Sequence, residues 1–273
     1  MRRAFPLVAG LGAGAAALAL AVVALPVRVG AGADEAEVRA ALENRLAGQC
    51  GERQCEEFCA QYGDAALPVL VEAFRKPAGH GTKARLAFLL GKQGDPAGLK
   101  PMKDFLEAPF PAVLEGEGYA DVWCTMMGIG FLGTADALDY LAKLATESYW
   151  LERFERDGVH PRILYKGTSR DEAESLWRLR CDAILALGAS GRPEARARLE
   201  QLKADCSHPR MVREIDGMIQ ECLIRERVAE EKARLAREGR ELSPEELQFH
   251  LLKTIIMPTI RGAAPDSAAP SGE

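Results

Sequence analysis

Three times in this chain an apolar run ends in the pattern apolar-Gly-x-x-Gly, and a second apolar run starts directly after it. The first copy is Leu90-Gly91-Lys92-Gln93-Gly94, followed by Asp95-Pro96 and then Leu99, Met102, Phe105 and Leu106. The second is Ile129-Gly130-Phe131-Leu132-Gly133, followed by Thr134 and then Leu138, Leu141 and Leu144. The third is Leu187-Gly188-Ala189-Ser190-Gly191, followed by Arg192-Pro193 and then Leu199 and Leu202. Apolar residues three and four apart lie on one face of a helix. The first glycine of each pattern permits close packing or ends the helix. The second supplies a left-handed turn, and Asp, Thr or Pro begins the next helix. Units of helix, short turn and helix are what such a pattern allows.

Gly91 and Gly130 are 39 residues apart, and the third copy follows after a longer gap that holds an insertion. A period of about 40 residues built from two helices is the mark of HEAT or armadillo arrays. The segment Leu179-Arg180-Cys181-Asp182-Ala183-Ile184-Leu185-Ala186-Leu187-Gly188 resembles the second helix of the HEAT-like repeat family in its short bacterial form. An earlier copy starts at Gly63 and runs through Leu67, Val69, Leu70 and Phe74. The resemblance covers residues 63–225 and implies an all-α fold, an α-solenoid of two-helix repeats. Composition agrees, because Ala, Leu, Glu and Arg dominate and aromatic residues make up only 6%.

The N-terminus reads as a targeting segment. Arg2 and Arg3 precede an uncharged apolar run from Phe5 to Val27, and Ala31-Gly32-Ala33 follows as a small-x-small cleavage site. Residues 1–33 are therefore expected to be a signal peptide or an N-terminal membrane anchor, since about 20 apolar residues span a bilayer. Either outcome predicts an exported protein, periplasmic or held in the inner membrane facing outward, with a bacterial origin inferred. Removal through Ala33 leaves 32 basic against 40 acidic residues. That balance argues against a nucleic-acid partner, and it restricts membrane contact to the N-terminal segment if that stays uncleaved.

Residues 34–62 read as a Cys-containing helical cap, with Asp34 as an N-cap. Between the second and third repeats lies an insertion at 146–170 that holds Tyr149, Trp150, Phe154, His160 and Tyr165. Its helix is expected to break at Asp157-Gly158, and Ile163-Leu164-Tyr165 reads as a short extended piece. Interruptions of a regular scaffold collect function, so Tyr149, Trp150 and Tyr165 are the candidate partner surface. The alternative is an aromatic patch that closes the gap between repeats. A long helix follows from about Met211. Residues 226–261 read as its charged half and a capping helix begun by Ser243-Pro244, with Leu247, Leu251, Leu252 and Ile255 on its apolar face. The tail 262–273 is Ala/Pro/Ser-rich and reads as disordered.

Seven cysteines in an exported chain are expected to form disulfides with one thiol left over. Cys50 with Cys55 or Cys59, and Cys206 with Cys222, are the candidates. Cys124 and Cys181 read as buried small hydrophobes. No Cys-x-x-Cys, His-Glu-x-x-His, Gly-x-Ser-x-Gly or Walker pattern occurs, so no catalytic, cofactor or metal residues are assigned. The expected function is a non-catalytic scaffold for a protein or peptide partner. Two alternatives stay open: a lyase-like accessory enzyme of the HEAT-like class, and a Cys-based metal or redox module.

Overall fold

A computed structural model describes residues 33–47, 52–77, 79, 81–165, 168–169 and 171–262. The fold is helical apart from one small sheet. The elements are α1 (Glu35–Ala47), α2 (Glu52–Tyr62), α3 (Ala66–Arg75), α4 (Thr82–Gln93), α5 (Leu99–Glu107), β1 (Val113–Glu115), α6 (Gly116–Leu132) and α7 (Ala135–Leu144). They continue with α8 (Glu147–Asp157), β2 (Arg162–Tyr165), β3 (Thr168–Ser169), α9 (Glu172–Ser190), α10 (Pro193–Ala204), α11 (Pro209–Arg237), α12 (Pro244–Leu251), a π turn (Leu252–Ile256) and α13 (Met257–Gly262).

The glycine patterns end three helices as the sequence predicts. Gly94, Gly133 and Gly191 are the C-caps of α4, α6 and α9, with φ of 73°, 61° and 61°. A side chain there would meet its own backbone, and glycine has none. The next helix is then capped locally. Asp95 accepts from the Ala97 N–H, and Thr134 accepts from the Ala137 N–H. Asp171 does the same for α9, and Ser243 forms a reciprocal capping box with Glu246 at the start of α12.

The helices pack in two rows. α2, α4, α6, α9 and α11 lie side by side in one row, and α3, α5, α7 and α10 pack behind them. The inner glycines of the patterns explain the first row. A Cβ on Gly91 would stand 2.4 Å from the Gly128 carbonyl oxygen, and one on Gly128 would stand 2.3 Å from the Ala87 oxygen. A Cβ on Gly130 would stand 2.2 Å from the Ala186 oxygen. Backbone therefore touches backbone from α4 to α6 and from α6 to α9. Gly188 instead makes room for the Met218 side chain of α11. One apolar core runs through the rows from Val38 and Leu42 of α1 to Met211, Ile215 and Cys222 of α11. Phe58 and Tyr62 of α2 belong to it, so both α1 and α2 pack on the rest.

The insertion is more structured than the sequence suggests. α8 stops at Gly158 (φ 64°), where a break is predicted. β2 then pairs in parallel with β1, Leu114 opposite Ile163, and β3 returns antiparallel to β2. Trp150 is fully buried, which corrects its assignment to a partner surface. Its indole donates to the Leu144 carbonyl at 2.6 Å, and its ring packs on Phe110, Tyr149 and Phe154. Beside it the buried Arg153 donates to the Ala108 carbonyl at 2.8 Å, with its guanidinium 4.2 Å above the Phe110 ring. α8 contacts α7 and α9, and Trp150 and Arg153 reach Phe110 and Ala108, which follow α5. Tyr149 is half-buried, and the Tyr165 side chain lies outside the described residues.

Candidate functional site

The first row carries buried polar contacts that periodicity does not reveal. α4 has Gly81 as its N-cap residue, and glycine offers no side-chain acceptor. Asp121 of α6 takes that role from the neighbouring helix. Its carboxylate accepts from the Gly81 N–H at 3.1 Å and from the Ala84 N–H at 2.8 Å. Four N–H groups are orphaned at every helix start, and a buried carboxylate there is also favoured by the helix dipole. Asp121→Ala is expected to cost about 1–3 kcal/mol, the range for a lost charged hydrogen-bond partner. The loss should show as a lowered Tm together with faster amide exchange confined to the first turn of α4.

One helix further on, Tyr119 of α6 donates a short hydrogen bond to Asp182 of α9. Arg178 completes the set, donating to the Tyr119 hydroxyl at 2.7 Å and pairing with Asp182 at 3.1 Å. Burial, with the Asp182 charge alongside, raises the Tyr119 phenol well above its ordinary range. Tyr119 therefore stays protonated as a donor, and the set ties α6 to α9.

At the surface above this network, α9 and α11 start side by side. The Arg210 guanidinium lies 3.5 Å over the Trp177 ring and pairs with Glu174 at 3.2 Å. The Trp177 indole N–H is itself buried and has no hydrogen-bond partner among the described residues. Arg210 is exposed and Trp177 half-buried. Arginine and tryptophan are the residues that most often anchor protein interfaces, so this patch replaces Trp150 as the candidate contact surface. The sequence signal was weak: Trp177 and Arg210 are 33 positions apart, and only the packing of α9 on α11 joins them.

Cys206 and Cys222 are free thiols, so the predicted bridge between them is not formed. Cys222 is buried and points at the Leu187 and Gly188 carbonyls, whereas Cys206 sits beside the His208 carbonyl. Burial pushes the Cys222 thiol up to about 12 and raises those of Cys124 and Cys181 further. Thiols held protonated in this way are poor nucleophiles and poor metal ligands. Cys55 is buried and Cys59 half-buried on α2, and the Cys59 thiol reaches the Leu89 carbonyl at 3.4 Å. Cys50 lies outside the described residues. Among the described residues no group of three or more His, Cys, Asp or Glu side chains is gathered to hold a metal. None of the described helices is long and apolar enough to cross a membrane, while the targeting segment 1–33 lies outside the described residues except for Ala33.

No family model, curated protein or solved structure matches the chain. The resemblance to HEAT-like repeats therefore rests on the residues quoted above.

Proposed function

We propose that the chain is an α-solenoid of HEAT-like repeats that acts as a binding scaffold for a protein or peptide, through the Trp177–Arg210 patch. The observation that supports this reading is the row α4, α6, α9, α11, joined at Gly91–Gly128, Gly130–Ala186 and Gly188–Met218. Stacked two-helix units offer an extended surface on which one partner can lie across several repeats. The partner meets the stacked Arg210 and Trp177, and the Tyr119–Asp182–Arg178 set holds α9, which presents Trp177. The reading includes export, with residues 1–33 as signal or anchor.

Residues 34–262 carrying an affinity tag, sent to a bacterial periplasm, are the reagent for the test. One dominant protein should co-purify. Arg210→Glu should lower its retention at least about tenfold, the loss expected of a central interface residue, with Tm unchanged. Trp177→Ala should act in the same direction. Retention unaffected by either change would overturn the assignment of this patch. Recovery of only a pigment or small molecule would overturn the scaffold reading.

A further inference from the structure

α11 runs on beyond α9. Gly191, the C-cap of α9, lies against Arg225, so residues 226–237 extend past it. The C-terminal helices fold back on this extension. Arg227 donates to the Thr259 hydroxyl at 2.9 Å, and His250 meets Glu231 at 2.6 Å. Leu235, Leu251, Ile255 and Ile256 are buried. Between these ties a groove of about 450 Å³ stays open. One wall is a stripe on α11: Arg227, Glu230, Glu231, Arg234 and Arg237, spaced by three and four residues along one helix face. The facing wall is Thr254 and Ile255. Both belong to the π turn, a rare geometry that often marks functional sites.

The charges along the stripe do not cancel. Glu231 is engaged twice, by Arg234 at 2.7 Å and by His250 at 2.6 Å. Arg234 also pairs with Glu238. Arg227 and Arg237 form no ion pair among the described residues: Arg227 donates to Thr259, and Arg237 donates to the Ala233 carbonyl at 3.3 Å. Both are exposed, and so is Glu230 between them. Arg227 and Arg237 are ten positions apart, which is about 15 Å along a helix. That spacing suits two anionic groups on one extended ligand better than a single ion. In an extended peptide, side chains four residues apart share a face and stand about 13 Å apart. The residue midway shares that face and would meet Ile255. Arginine is the side chain whose planar fork fits a carboxylate. Glu230, within the stripe, works against a ligand charged on every unit, such as a nucleic-acid backbone.

We propose that this groove takes an extended acidic peptide, with carboxylates four residues apart on Arg227 and Arg237 and an apolar side chain between them on Ile255. It is a second binding surface, separate from the Trp177–Arg210 patch at the start of α11, and it stands whether or not that patch binds a partner.

Fluorescence anisotropy on the full chain in mild detergent is the test, with a labelled, end-blocked Glu-Ala-Leu-Ala-Glu peptide as probe. The Gln-Ala-Leu-Ala-Gln counterpart should bind at least about tenfold more weakly. Arg227→Ala and Arg237→Ala should each weaken the acidic peptide about fivefold, the upper end for an exposed ion pair. Glu230→Gln should tighten it about twofold. Arg237 bonds only within its own helix, so Arg237→Ala reads binding even if loss of the Thr259 bond lowers the Tm of Arg227→Ala. Equal binding of the two peptides, an unchanged affinity in Arg237→Ala, or a five-nucleotide oligothymidine bound as tightly as the acidic peptide would overturn the proposal. So would absence of binding at about 1 mM peptide, the weak limit of a specific contact.

Discussion

Gly128→Ala should destabilise the protein by about 3 kcal/mol or more, the upper end of what overpacking costs in a close-packed core. The added methyl would stand 2.3 Å from the Ala87 carbonyl oxygen and 2.8 Å from its carbon. These are backbone atoms of a neighbouring helix, so no rotamer change relieves the clash. α4 and α6 would have to separate, opening the core on both sides. Two other glycines serve as controls. Gly217 lies within α11 with open space around its Cβ position. Gly217→Ala should stabilise by about 0.5–1 kcal/mol through reduced chain entropy. Gly94 has open space too, but its φ is 73°. Gly94→Ala should cost about 1 kcal/mol for the left-handed backbone alone. Chemical denaturation of the three variants separates contact from conformation.

Trp150→Ala should cost about 3–5 kcal/mol, the range for truncating a fully buried large aromatic residue. At about 2–4 °C per kcal/mol for a domain of this size, the Tm should fall on the order of 10 °C. The indole fills the centre of the insertion and satisfies the Leu144 carbonyl. Its loss leaves a cavity and strips the aromatic cover from Arg153, whose guanidinium lies 5.3 Å from the Trp150 ring. A surface role would predict a Tm within about 1 °C of the parent, in line with surface substitutions. Thermal melts of Trp150→Ala beside Arg210→Glu therefore distinguish packing residue from contact residue directly.

The helical class was legible because its signals are local. Leu90-Gly91-Lys92-Gln93-Gly94 and its two copies carry both the helix end and the close approach in five residues. Ser243-Pro244 marks a helix start with similar economy. Signals that depend on distant partners were not legible. Val113-Leu114-Glu115 is too short for periodicity and becomes a strand only because β2 lies alongside it. Asp121 sits in the middle of an apolar stretch, and nothing near it in sequence tells that it caps a helix 40 residues earlier. The insertion shows why aromatic content misleads: Tyr149 and Trp150 are adjacent, yet one is half-buried and the other fully buried.

The packing of α4, α6 and α9 depends on backbone contact at Gly91, Gly128 and Gly130. Proton–proton Overhauser spectra of protein labelled at glycine and alanine read that contact directly. Cross-peaks are expected between the Hα protons of Gly91 and Gly128, and between those of Gly130 and Ala186. A folded protein in which both pairs are silent would contradict that packing.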